Sequence, residues 1–418
     1  MTTLTNHSKS LMTTFLDKKV ILHDPLSKKT QSILKTLYDE LKTADQYVRG
    51  LNARPNFYRV TVTKIETASQ IPKPSTFNAS SFQKEVREHI DMHILCSIEY
   101  KFSLIDREIT IYFMTEQKNS ELQIDLYNEY VMKILVWLYM VNNESSKKCA
   151  KKLTLYFYMT SLKKELPKSD IHILNEMNVN TAFTYTCPVN SEIIVYRKEE
   201  WFKVFMHESF HNFALDFSEM NIGETNKKIL DIFQVKSDVN LFESYTETWA
   251  SIMNAIFCSY YMKKEEGFPE FLSNCEYFIH FERTYSMFQM VKVLNFMGLR
   301  YKDLFSGGRN AAVLRETLYK EDTNVLSYYV IRAVLLNNID GFLGWCKEHN
   351  LSLLEFKKTQ KNLEDYCELI RENYKKKSML SNVETMEKLM KKMEKKGSSR
   401  EKHDFFLSNT RMTICEMG

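Results

Sequence analysis

His207-Glu208-Ser209-Phe210-His211 places two imidazoles and a carboxylate at a spacing that can do hydrolytic chemistry. On a helix, positions four apart share one face, about one turn from each other. Both imidazoles can then reach one metal ion as neutral nitrogen ligands. The carboxylate beside the first histidine can take a proton from water activated by that ion. With ten histidines in 418 residues, chance supplies an HxxxH pair about 0.2 times, and one with an acid in second place about 0.03 times. Chance is therefore a poor account of this stretch.

His89-Ile90-Asp91-Met92-His93 has the same outline. Here Ile90, Met92, Ile94, Cys96, Ile98, Tyr100 and Phe102 alternate with polar residues, which predicts a strand over 89–102. Residues four apart on a strand are separated by about 13 Å. This pair is expected on a solvated strand face, unable to share an ion.

Two histidines do not complete a catalytic metal site. A third protein ligand is needed, with the fourth place left to water. Phe242-Glu243-Ser244-Tyr245-Thr246-Glu247-Thr248-Trp249-Ala250-Ser251 offers Glu243 and Glu247, four apart on one face of a predicted helix. One can bind the ion, and the other can orient a histidine.

Together the two stretches resemble the gluzincin branch of the zincin metallopeptidases, which pair HExxH with a glutamate on a following helix, often as ExxA. Glu247-Thr248-Trp249-Ala250-Ser251 is similar to that pattern, 36 positions after His211. That gap is long beside thermolysin-like enzymes and similar to clostridial neurotoxin light chains. The resemblance covers residues 88–370, and only the two motifs in it are specific. It implies a Zn²⁺ cofactor, a peptide or protein substrate, Glu208 as general base, and His207, His211 and Glu247 as ligands, with Glu243 as the alternative third ligand. Ser251 stands where many members carry an acid. No HExxHxxGxxH is present, which argues against the metzincin branch. Zincins also need a donor for the oxyanion of the tetrahedral intermediate. Candidates are His280, Arg283 and Tyr285 in one stretch and Tyr328, Tyr329 and Arg332 in another.

The elements that must position these residues can be read from the apolar spacing. A helix is expected over 32–51, a strand over 57–65 and a linker over 66–82. A hairpin follows over 89–102 and 108–114, then an apolar helix over 122–141 and a strand over 153–158. An extended segment over 180–186 can serve as an edge strand for a substrate backbone. Next come a strand over 192–196 and the HExxH helix over 199–216, opened by Glu199 and Glu200, whose charge suits a helix N-terminus. A second long helix is expected over 241–261, and further helices to about residue 374. The expected fold is α+β. Residues 1–85 form a small N-terminal accessory region that begins with a loose leader. Residues 86–374 form a zincin-like metalloprotease domain with a mostly helical C-terminal half. Residues 375–418 form a basic tail, partly helical or disordered.

Composition limits the alternatives. A hydrophobic content of 44% and an aromatic content of 13% are ample for a core. The net charge of +4 is no nucleic-acid signature. Residues 375–402 alone carry ten Lys or Arg and four Glu, so the remainder is slightly acidic. The eight cysteines are scattered without a CxxC pair, which predicts reduced thiols and a cytoplasmic setting. Neither a signal-peptide core nor an apolar run of spanning length is expected. A second reading is a non-catalytic structural or interaction protein, such as a virion or assembly component, that keeps the zincin fold without turnover. The intact Glu208 argues for catalysis, because a purely structural site has no use for a base.

Overall fold

Two residue periodicities, near two and near 3.6, divide the chain into strands and helices. The computed structural model describes residues 3–80, 82–264, 267–395 and 405–418. In chain order the elements are α1 (Asn6–Lys18), α2 (Lys28–Asn52), β1 (Arg59–Lys64), α3 (Lys84–His93), β2 (Cys96–Leu104), β3 (Arg107–Thr115), α4 (Ile124–Glu144), β4 (Lys152–Met159), β5 (Leu174–Asn175), α5 (Glu176–Val179), β6 (Ala182–Thr184), β7 (Asn190–Val195), α6 (Trp201–Asn212), α7 (Gly223–Ile232) and α8 (Leu241–Met262). They continue with α9 (Phe268–Phe296), α10 (Arg309–Leu318), β8 (Glu321–Asp322), a π-helical segment (Leu326–Ile331), α11 (Arg332–Asn337), α12 (Ile339–His349), α13 (Gln360–Asn373) and α14 (Lys377–Lys395). The architecture is mixed α and β, in two units: residues 36–163 with 181–219, and residues 1–35 with 164–180 and 220–418.

The first unit holds a six-stranded sheet in the order β1-β2-β3-β4-β7-β6. β2 and β3 form an antiparallel hairpin, closing at Leu104 opposite Arg107. β3, β4 and β7 run parallel, and β6 returns antiparallel along β7 as an edge strand. The parallel step from β3 to β4 is made through α4, as parallel pairing requires a crossover. Aromatic rings fill one face. Phe113 stacks on Phe157 at 5.1 Å, and Trp201 packs on Tyr130 at 4.7 Å and on Phe157 at 5.3 Å. Each such ring contributes roughly 1.5–3 kcal/mol on burial.

Two expectations are corrected in this unit. Residues 84–93 form helix α3, and the strand starts only at Cys96. Val86 and Ile90, one helical turn apart, are buried, whereas Met92 is 68% exposed and breaks the apparent alternation. His89 and His93 are therefore neighbours on a helix, with ring centroids 4.3 Å apart, and His89 Nε2 lies 2.7 Å from Glu116. The cysteines are not all reduced. Cys149 and Cys187, 38 positions apart, are joined in a disulfide, while the other six are outside any disulfide and buried. The long sequence separation hid the pair from spacing arguments.

The second unit is mostly helical. α9 packs along α8, and α11 and α14 pack on α9. The leader expected to be loose forms α1, whose Phe15 is fully buried against Tyr285, Phe288 and Phe406. Of the segment read as a tail, residues 375–395 and 405–418 also join this core, and 396–404 lie outside the described residues. α14 buries Met379, Val383, Met386, Leu389, Met390 and Met393 at helical spacing. Further on, Thr410, Arg411, Thr413, Ile414 and Cys415 are fully buried. Their polar groups are absorbed by side chains of the helices. Glu282 accepts from Thr413 Oγ1 and from the amides of Ile414 (3.1 Å) and Cys415 (2.9 Å), and Arg332 donates to the Met412 carbonyl. Among the described residues, no helix is long and apolar enough to cross a membrane.

Candidate metal centre

α6 carries the histidine pair. All twelve of its residues are buried, and its apolar face is anchored through Phe205 on Phe157 and Phe210 near Trp137. His207, Glu208 and His211 remain 6–8% exposed. The helix begins one residue after the acids expected to open it. Glu200 is the capping position, in left-handed backbone (φ 60°), and its side chain caps no helix amide.

The C-terminal end of α6 organises His211. Ala214 adopts left-handed backbone (φ 54°), the Ala214 amide donates to His211 O, and the Leu215 amide donates to Phe210 O. This is the helix-ending turn usually made by glycine. It folds the chain back so that the buried Asp216 carboxylate meets His211 Nδ1. Asp216 is itself held by the amide and hydroxyl of Ser218, at 3.2 and 2.8 Å. A carboxylate on Nδ1 places the ring proton there and leaves Nε2 with a lone pair. His207 Nε2 lies 3.1 Å from that nitrogen.

Among the described residues, one group of three or more His, Cys, Asp or Glu can hold a metal ion: His207, His211 and Glu243, whose ligand atoms all lie within 4.8 Å of one another. Its chemistry fits a divalent ion. Two nitrogens on one tetrahedral zinc, each at about 2.1 Å, stand about 3.4 Å apart, close to the 3.1 Å between the two Nε2 atoms. Two imidazoles and one carboxylate are also the donor set of catalytic sites that keep one place open.

Glu243 lies in the first turn of α8, half-buried, with Asn324 Nδ2 at 3.5 Å from its Oε1. Asn324 is held in turn by Asn240 Nδ2 at 2.9 Å. Glu247, preferred on the ExxA pattern, is not part of the group. It is buried one turn further along α8, with Arg332 Nε 3.8 Å from its Oε1. Arg332 also lies 3.9 Å from Glu282, whose carboxyl is pushed up by burial and drawn back by that guanidinium.

The oxyanion candidates are placed as follows. His280 Nε2 bonds the Asp24 carbonyl at 2.9 Å, and burial holds its imidazole below the usual value. Arg283 pairs with the Asp24 carboxylate. Tyr329 donates to the Thr410 carbonyl at 2.6 Å, and Tyr285 donates to Asn409 Oδ1 at 2.6 Å. Tyr328 is buried in the π-helical segment. Asp216 was missed because it lies five positions past His211, beyond the helix end, with no glycine to mark the turn. Comparison with protein-family models, with curated proteins and with solved structures gives no match.

Proposed function

We propose that the protein is a zinc-dependent peptidase of the gluzincin type, in which His207, His211 and Glu243 hold Zn²⁺ and Glu208 is the general base. The observation that carries this is the meeting of Glu243 with the two histidines of His207-Glu208-Ser209-Phe210-His211. When bound, zinc supplies Lewis acidity, which acidifies water and polarises a carbonyl. Glu208, next to a ligand in sequence but outside the ligand group, takes the proton from water and returns it to the leaving amine. Asp216 fixes the His211 tautomer, so the ring needs no rearrangement to offer Nε2. A zincin-like fold is supported by the mixed sheet, its short antiparallel edge strand β6, and α6 following β7 directly. That edge offers backbone groups to an extended peptide, which favours a peptide or protein substrate.

The test is digestion of a peptide library by the zinc-loaded protein, read by mass spectrometry, with wild type and Glu208→Gln side by side. Cleavage by wild type and a loss of about 10³-fold in the variant, at equal zinc content, are expected. A zinc-loaded wild type that cleaves nothing would favour a non-catalytic component with the same fold. A variant as active as wild type would remove Glu208 from the mechanism.

A further inference from the structure

We propose that the Cys149–Cys187 disulfide is a thiol-exchange site, attacked at Cys187 by a dithiol reductant, and that its opening weakens metal binding at His207 and His211. The inference rests on the reading that these histidines hold an ion. Four observations carry it, all within the sheet-bearing unit. The bond is the one joined pair among the described cysteines. Its two residues differ in exposure, Cys149 being fully buried and Cys187 half-buried. Cys187 is tied directly to the end of the histidine helix, because its amide donates to the carbonyl of Asn212, the residue after His211, at 3.1 Å. The Asn212 side chain then holds the turn between β6 and β7 from within. Its Nδ2 donates to Thr184 Oγ1 (2.8 Å), Tyr185 O (3.3 Å) and Ser191 Oγ.

The disulfide holds the same turn through a second link. It links Cys187 to Cys149, and the adjoining backbone follows, with the Ala150 amide on Pro188 O at 2.8 Å and the Lys152 amide on Val189 O at 3.1 Å. Both Cys187 (φ 53°) and Ala150 (φ 50°) are in left-handed backbone, which non-glycine residues adopt at a cost. The covalent link keeps them there. Opening it removes that constraint, and the turn can relax away from Asn212. The end of α6 that presents His211 then loses one of its supports.

The exchange is a two-electron transfer. A thiolate of the dithiol attacks Cys187 Sγ and forms a mixed disulfide there. Cys149 Sγ leaves with the bonding pair and takes a proton from solvent. Its residue is fixed by Arg107, which donates to the Cys149 carbonyl. The second thiol of the reductant loses its proton and attacks the reductant sulfur of the mixed disulfide. It closes a cyclic disulfide and releases Cys187 as a thiolate, which is protonated in turn. The dithiol is oxidised and the protein disulfide reduced.

The experiment has three arms, all on the full chain. Graded dithiol treatment followed by alkylation and mass spectrometry should label Cys149 and Cys187 before the six buried thiols, with the mixed adduct on Cys187. An adduct on Cys149, or equal labelling of other cysteines, overturns the site. Zinc titration against a chelating dye compares oxidised wild type with Cys149→Ser/Cys187→Ser, so that no thiol competes for the ion. About tenfold weaker binding is expected in the double variant, and equal affinity overturns the coupling. Hydrogen exchange at the Cys187 amide in metal-free protein, oxidised against reduced and alkylated, keeps the test sharp if the double variant does not fold. Unchanged protection there overturns the coupling. Faster exchange at that amide, with no zinc bound even by oxidised wild type, overturns the metal reading and the coupling with it, and leaves the exchange site standing.

Discussion

α6 and α8 each carry two potential metal ligands four residues apart on a buried helix, and the two pairs have different fates. On α6 the pair meets, with the Nε2 atoms of His207 and His211 3.1 Å apart. On α8 the pair is divided. Glu243 belongs to the group that could hold an ion, while Glu247 lies beside Arg332. Helical spacing alone therefore says that two side chains share a face. It does not say that they share a task. What separates the two cases is the next layer of residues. Asp216 fixes the ring of His211, whereas Arg332 lies beside both Glu247 and Glu282 in a buried charge cluster.

Glu247→Ala removes one carboxylate from a fully buried guanidinium and is expected to destabilise the protein by about 3 kcal/mol, measured by urea unfolding. A stability near wild type would mean that Arg332 does not depend on Glu247. The approach to α8 can be tested by pH. Glu321 accepts from Ser237 Oγ and from the Leu326 amide (3.0 Å), and burial raises its carboxyl to about 7. The folded state then binds a proton that the unfolded state has already released, so stability falls as pH rises from about 4.5 to about 7. The change amounts to about 3 kcal/mol. Glu321→Gln should flatten this slope, and an unchanged slope would place the titration elsewhere.

Two smaller effects sharpen the α6 side. Asp216→Asn keeps an acceptor for His211 Nδ1 but removes the charge, so zinc affinity should fall about tenfold, as read by competition with a chelating dye. Ala214→Gly relieves left-handed backbone at the turn that delivers Asp216. It should stabilise the protein by about 1 kcal/mol, seen as a higher Tm with zinc affinity unchanged.

Legibility followed the range of the interactions. α2, β1, the β2–β3 hairpin, α4, α6 and α8 were readable because their apolar spacing is local and strong. Residues 89–93 read as strand because Ile90 and Met92 continue the alternation of the strand that follows, whereas Val86 and Ile90, buried one turn apart, belong to a helix. His207 and His211 were legible because four residues on one helix bring them together. The placing of Glu247 beside Arg332 was not, since the two are far apart in sequence. The same holds for the Cys149–Cys187 bond. It holds also for the C-terminal segment, whose Thr413, Ile414 and Cys415 look like an ordinary chain end until Glu282 is placed against them.

In the proposed site the ion is held by both histidines of α6 and by Glu243 of α8. The most direct test is zinc titration of Glu243→Ala and Glu247→Ala beside wild type, with bound metal counted by elemental analysis. Wild type should hold one zinc. Glu243→Ala should lose more than about 100-fold in affinity, because a bonded charge is removed rather than an orienting one, while folded Glu247→Ala should still fill. If Glu247→Ala is the variant that cannot be filled, or if neither substitution changes the affinity, the ligand set described here is wrong.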